Sequence, residues 1–429
     1  MQSTSRIRDA LSVCAAAAIL SGCGSSIGGP SIGLRAGTPI GVAVQKQSGG
    51  YNVLYSFGGY ATNGVDPEAS LTNVNGTLYG TTIGGGSGCY ASGGCGTVFE
   101  SSTPGAESVL HSFVGGADGA LPYARLTNVS GVLYGTSGGG ASTDGTVYSI
   151  TTSGTESVLH HFQGTPDGSD PHAGLLDVDG TLYGNTVFGG SLHRGTVFEI
   201  ATSGGEKVLY SFIGTRHGHR DGKFPNASLL NVNGTLYGTT YKGGDIDRGT
   251  VFKITPSGSE SVLHSFKGGK TDGSYPRASL VYVNGTLYGT TTGGGNASCS
   301  GCGKNPGDGT IFAIATTGKE TLRYKFNGYP SDGAVPYGKL IYDHGVFYGT
   351  TQSGGANCAV SHGCGTIFSI APRGTEKMLY SFLPKEGSFP VAGLVDVNGA
   401  LYGTTPSGGA YNHGTIFSFS TTKNGSGAK

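Results

Sequence analysis

The chain has 429 residues, a formal net charge of zero and 12% charged residues, so nothing in it suggests a nucleic-acid partner. Glycine reaches 83 residues, a level that alone would suggest low complexity. The 23 tyrosines and 18 phenylalanines argue against disorder, because most recur at fixed positions beside Leu, Val and Ile; tryptophan is absent.

Residues 1–22 read as an export signal. Arg6 and Arg8 precede the apolar run "ALSVCAAAAIL", too short to span a bilayer. The run ends in "LSGC", Leu20 to Cys23, which resembles the lipobox of bacterial lipoproteins. That resemblance implies a lipidated Cys23 as the mature N-terminus, and Gly24 behind it implies the outer membrane. The alternative is an ordinary secretory signal with an incidental cysteine. Residues 23–50 are rich in Gly, Ser and Pro and are expected to form a tether, and 423–429 a disordered tail.

From residue 51 the chain repeats itself. "LYG" occurs seven times or in close variants, with Tyr79, Tyr134, Tyr183, Tyr237, Tyr288, Tyr348 and Tyr402 spaced 49 to 60 residues apart. In residues 227–267, "ASLLNV" reads as a strand and Asn233-Gly234 as a type I′ hairpin turn, which needs positive φ at both positions. "TLYGTT", "GTVFKIT" and "ESVLHSF" follow as three more strands. Four short antiparallel strands, seven times over, predict an all-β, seven-bladed β-propeller across 51–422. The chain begins on an orphan fourth strand, "YNVLYSF", and ends on a third, "GTIFSFS". Together they make one blade, so the N-terminal strand is expected to complete the last blade and close the ring. An open solenoid is the structural alternative.

The repeat GTVF, G-x-E-x-VLYSF, DG-x-x-P-x-A-x-L, NG-x-LYGTT, GG resembles the GloVer tandem repeat of bacterial surface proteins across residues 51–420. The resemblance implies a surface protein with an anchor, lipoprotein signals being among those the family carries; it implies no activity.

Strand order sends the variable loops to one face. The three long loops after "LYG" carry Cys89 and Cys95, Cys299 and Cys302, and Cys358 and Cys364; the four short ones carry no cysteine. Three local pairs in an exported chain read as disulfides, with a redox dithiol or half a zinc site as the rival for "CSGC". The same face carries the Asp-Gly loops, with Asp118, Asp167, Asp221, Asp272 and Asp332, and with Asn63 and Glu386 in their place in two copies. These acids read as turn residues rather than as a cation site, so no cofactor is expected. The loop 213–225 is longer than its counterparts and offers His217, His219, Arg220 and Asp221 as the candidate ligand face. His-x-His could ligate a metal, but in an isolated loop it reads first as a solvated tip.

Tyr55, Tyr210, Tyr380, His111, His160 and His264 share one place on the outermost strand and are expected to be packing or edge residues. Glu107, Glu156, Glu206, Glu260, Glu320 and Glu376 follow the turns and are expected to be solvated charges. No H-E-x-x-H, P-loop or dinucleotide fingerprint is present. The expectation is a monomeric, lipid-anchored binding or scaffolding module for a cell-wall or extracellular glycan or an envelope protein. A polysaccharide lyase or glycosidase and a purely structural envelope protein are the alternatives.

Overall fold

A computed structural model describes residues 50–59, 63–89, 93–102, 105–139, 144–216, 219–296, 307–358 and 362–421. The export signal, Cys23, the tether up to residue 49, Cys299, Cys302, His217 and the tail lie outside the described residues.

Among the described residues, seven antiparallel four-stranded arrays follow one another in chain order. The fourth blade shows the pattern. Its inner strand Leu230–Val232 turns at Asn233-Gly234 into Thr235–Thr240, which pairs with Thr250–Ile254 and then with the outer strand Glu260–Ser265. Asn233 and Gly234 have φ of 51° and 82°, as the type I′ turn requires, and each of the other six blades has a counterpart. In the fifth blade the second strand, Thr286–Gly294, runs on to pair with Gly273–Pro276.

The "LYG" glycine is set by the strand beside it. Gly238 pairs with Phe252, and a Cβ on Gly238 would lie 2.5 Å from the Phe252 ring. The same glycine–aromatic contact recurs in all seven blades, from Gly80 on Phe99 to Gly403 on Phe417, with Tyr148 taking the aromatic place in the second. A phenylalanine just past the preceding blade's outer strand meets that ring edge-to-face. Phe212 meets Phe252 at 5.1 Å between centroids, and Phe57–Phe99, Phe113–Tyr148, Phe162–Phe198, Phe266–Phe312, Phe326–Phe368 and Phe382–Phe417 repeat the contact at 5.1–5.3 Å. Each edge-to-face pair contributes about 0.5–1.5 kcal/mol beyond the area it buries.

Hydroxyls buried in the blades are satisfied in pairs, such as Thr240 Oγ1 with Thr250 Oγ1 at 2.8 Å. Others bridge blades: Thr239 Oγ1 donates to the carbonyl of Ala278 in the next inner strand, and Asn185 Nδ2 to that of Ala227. The ring closes as the sequence predicts. Tyr51–Ser56 pairs with Thr415–Ser420 in the seventh blade, and Thr404 Oγ1 donates to Ala69 O of the first blade at 3.0 Å. The solenoid alternative is thereby set aside. No helix among the described residues is long and apolar enough to cross a membrane.

Gly238→Ala forces Cβ into the Phe252 ring and is expected to cost about 1–3 kcal/mol, the usual range for overpacking a tight core. Urea unfolding followed by circular dichroism measures it, and a midpoint equal to the parent's would contradict the packing described.

Candidate functional site

The motif P-x-A-x-L leads into each inner strand, with Gly338 in the alanine place of the sixth blade, and its fixed letters pack into the blades. Pro225 lies against Gly195 of the preceding blade, where a Cβ would approach it to 2.7 Å, and Ala227 and Leu229 are buried. The residues between those anchors line a central channel. The first variable position holds Glu68, Tyr123, His172, Asn226, Arg277, Tyr337 and Val391, one from each blade, around a chamber of about 140 Å³. The second holds Arg125 and Lys339 among small residues. A further chamber of about 430 Å³, bordered by the same two cations, extends along the inner strands to Asn73, Asn128, Asp343 and Asp396 at the hairpin-turn end.

The residue before each proline frames the mouth. Asp66, Leu121, Asp170, Phe224, Tyr275, Val335 and Phe389 all have φ of 56–60°, uncommon for residues with a side chain. Hydrogen bonds hold them there. Phe224 N donates to Arg194 O of the preceding blade, and Phe224 O accepts from Tyr241 N.

The mouth is chemically lopsided. On the fourth and fifth blades, Tyr241 and Tyr275 lie 5.3 Å apart, the Arg277 guanidinium sits 3.9 Å from the Tyr241 ring, and Arg277 Nη1 donates to Tyr337 OH at 2.7 Å. Phe188–Phe224, Lys223, Lys242 and Arg248 extend this aromatic and basic arc. Elsewhere on the rim, Asp66 and Glu68 occupy the first blade and Asp170 the third. Asp170 Oδ1 lies 3.1 Å from His172 Nε2, and the His172 ring packs on Tyr123 at 4.2 Å. Burial, helped by Asp66, pushes the Glu68 carboxyl up to about 7 against the pull of His172 and Arg277. Burial and then Arg125 bring the Lys339 amine down to about 8.

The loop residues singled out from sequence are placed differently from one another. Thr215–Arg216 and His219–Arg220 form a small hairpin. Arg220 is exposed and lies 3.1 Å from Asp245. Asp221 is buried: Oδ2 accepts from Ile213 N and Tyr210 OH, and Oδ1 from Gly222 N. Cys89–Cys95 and Cys358–Cys364 are disulfides, with Cα atoms 5.4 and 5.5 Å apart. They anchor the carbonyls of Cys95 and Cys364, which accept from Leu121 N and Phe389 N at the mouth of the following blade.

Three features that look unrelated in sequence meet at each junction between blades. The Tyr or His of the outer strand reaches the acid of the Asp-Gly loop that follows it and the Glu of the next blade. Tyr324 OH donates to Asp332 Oδ2 at 2.8 Å and to Glu376 Oε2 at 3.3 Å. His111 lies 3.0 Å from Asp118, His160 3.1 Å from Asp167, and Tyr210 3.1 Å from Asp221. Asn63 Nδ2 donates to Tyr55 OH and Glu107 Oε2, and Tyr380 OH to Glu386. At that last junction Tyr51 stands where the others have Glu, stacked 4.2 Å from Tyr380.

These glutamates are therefore not the solvated charges expected from sequence. They are half-buried at the junction with the preceding blade, and Glu107, Glu156, Glu206, Glu260, Glu320 and Glu376 each have one buried oxygen without a hydrogen-bond partner among the described residues. In three junctions, His111–Asp118–Glu156, His160–Asp167–Glu206 and His264–Asp272–Glu320, the donor atoms fall within 4.8 Å of one another, close enough to hold a metal ion. Tyrosine fills the histidine place at the other four, so the role common to all seven junctions is a hydrogen-bonded clasp.

The repeat profile of the Gloeobacter/Verrucomicrobia repeat family matches residues 33–166, 90–303, 136–359 and 297–427. The chain belongs to this family. No curated protein matches its sequence. Among solved structures, this family member is similar to a streptogramin B lyase, with 13% identity, 84% of this chain and 95% of that chain covered, and a TM-score of 0.54. It is also similar to a PL25 ulvan lyase (11%, 84% and 94%, 0.49). A third likeness is to PorZ, a surface component of the type-IX secretion system of Porphyromonas gingivalis (14%, 86% and 48%, 0.48). At 13% identity the likeness to the streptogramin B lyase shows the fold alone. The disulfides of this repeat protein point to an extracellular or surface location.

The clasps make stability depend on pH. Burial first, and then the neighbouring Asp, push Glu206, Glu260, Glu320 and Glu376 up to about 7, 8, 6 and 7, from an ordinary 4.5. The folded protein thus keeps protons that the unfolded chain has released. Their contribution is complete below the unfolded value of about 4.5 and is lost as pH rises through about 6 to 8. Tm by calorimetry is expected to fall between about pH 5 and pH 8.5, and Glu260→Gln to flatten the upper part of that fall. A Tm that rises over this window would contradict the clasp.

Proposed function

We propose that this propeller is a lipid-anchored surface module that binds an acidic polysaccharide across the mouth of its central channel. The observation that carries the reading is the break in sevenfold regularity at the first variable position of P-x-A-x-L and around the rim. Every anchor residue serves the ring, while these side chains differ from blade to blade and gather aromatic rings and cations on one side. Tyr241, Tyr275 and Tyr337 suit the apolar faces of sugar rings, and Arg277, Arg248 and Lys242 suit their acidic substituents. The hairpin bearing His219 and Arg220 and the disulfide loops belong to the same variable face and would flank the ligand. The "LSGC" at Leu20 to Cys23 supports the lipid anchor.

A second reading, an extracellular polysaccharide-acting enzyme, rests on Glu68. A carboxyl held near neutrality in a cavity, with His172, Asp170 and Tyr123 on the same rim, is the kind of arrangement that acid–base chemistry uses.

One experiment addresses both. The full chain is incubated with acidic and neutral polysaccharides, and retention and released fragments are scored together. Retention of acidic polymers is expected, weakened roughly tenfold, equivalent to about 1.4 kcal/mol, by Tyr241→Ala or Arg277→Ala. Retention indifferent to polymer charge and to both substitutions would contradict the proposal. Fragments that vanish in Glu68→Gln would favour the enzyme, and neither retention nor fragments would leave a structural role.

A further inference from the structure

The second variable position of P-x-A-x-L poses a problem of charge. Five blades place Ser or Gly there, and the crowding of neighbouring backbones explains both glycines: a Cβ on Gly174 would lie 2.9 Å from Arg125 O, and one on Gly393 2.9 Å from Lys339 O. The remaining two blades place long cations at this level, Arg125 and Lys339, where the chambers meet. Arg125 is open to water in the lumen yet ringed by protein, and its Nε donates to Thr72 Oγ1 at 3.3 Å. Among the described residues no carboxylate forms an ion pair with either cation. Asp343, at the far outlet, is paired with His344 at 2.6 Å, and Asp396 Oδ1 accepts from Gly399 N. Glu68, on the upper rim, interacts with Asp66, His172 and Arg277. Two like charges in a partly desolvated neck are unfavourable unless an opposite charge joins them.

We propose that the neck between Arg125 and Lys339 is a seat for a small anionic group: a carboxylate, sulfate or phosphate, free or carried on a sugar. A planar guanidinium supplies paired donors to an oxyanion, and an ammonium supplies a compact charge opposite. Ser70 and Gly393, on the two blades between the cations, leave the lumen open at this level. The seat deepens the proposed ligand reading, since an acidic polymer crossing the mouth could lower one substituent into it, but it fails or stands separately.

The test is calorimetric titration of the full chain with inorganic sulfate, inorganic phosphate and glucuronate at low ionic strength, which also separates tetrahedral oxyanions from carboxylates. Saturable binding of at least one is expected, weakened roughly tenfold or more by Arg125→Gln and by Lys339→Gln, and kept within about threefold by Lys339→Arg. Without added anion, either Gln variant is expected to melt at the parent temperature or above it, because it relieves repulsion; a merely structural side chain would lower it. No saturable binding of any of the three, or binding unchanged in the Gln variants, overturns the proposal. If one Gln variant does not fold, the other decides. Tyr241→Ala is expected to reduce polysaccharide retention while leaving these titrations intact, so the mouth and the neck are judged apart.

Discussion

An aromatic ring lying on a glycine is the contact on which the ring of blades depends. Phe252 can lie against its neighbouring strand because Gly238 has no side chain there, and in that position it meets Phe212 from the blade before edge-to-face. Strand pairing, blade stacking and ring closure are thereby tied to one residue pair. Repeated seven times, the contact ends where it begins, with Phe57 of the N-terminal strand on Phe99 of the first blade. The buried threonine pairs and the threonine-to-alanine bridges then satisfy polar groups that this close approach takes from water.

So strict a frame separates structural from functional positions. Proline, alanine and leucine ahead of the inner strand face packing, and only the alanine varies, to Gly338 in the sixth blade. The residues between them face the lumen, where the frame asks only that neighbouring backbones be accommodated. It is there that the blades diverge, with Glu68, His172, Arg277, Arg125 and Lys339 in an otherwise sevenfold setting. The junction clasps belong to the frame rather than to the site. At most boundaries a tyrosine or histidine, an acid from its own blade's trailing loop and a glutamate from the next blade meet in one hydrogen-bonded cluster, with Asn63 and Tyr51 standing in at one boundary each, and the raised glutamates couple stacking to pH.

Much of the fold was legible because it is written locally. Asn233-Gly234 states its own turn, and the orphan strand 51–57 states the closure. Cys89 with Cys95 and Cys358 with Cys364 lie six residues apart within single loops, so their pairing needed no tertiary information. The clasps were not legible, because their members are far apart in sequence: Tyr324 is eight residues from Asp332 and 52 from Glu376. Tyr324 itself escaped notice because Arg323 and Lys325 disguise the "VLYSF" pattern around it. The channel lining was hidden for another reason. Most of the lining lies in the non-strand segments just ahead of inner strands such as Leu230–Val232, where no alternation marks which side faces the lumen. The signal in the sequence is the variation between the fixed letters of P-x-A-x-L, which is smaller than that of the long loops. Asp221 shows the difference: it sits in the most conspicuous insertion, yet it is buried and holds the turn.

The most direct test of this division between frame and site is hydrogen–deuterium exchange of the full chain with and without a retained acidic polysaccharide. Protection centred on peptides spanning the segments that lead into the inner strands, 66–70, 121–125, 224–228, 275–279 and 335–339, together with the 241–248 arc, is the predicted result. Protection of the 213–222 hairpin and the disulfide loops alone, with those segments unchanged, would contradict it and move the ligand to the outer loops.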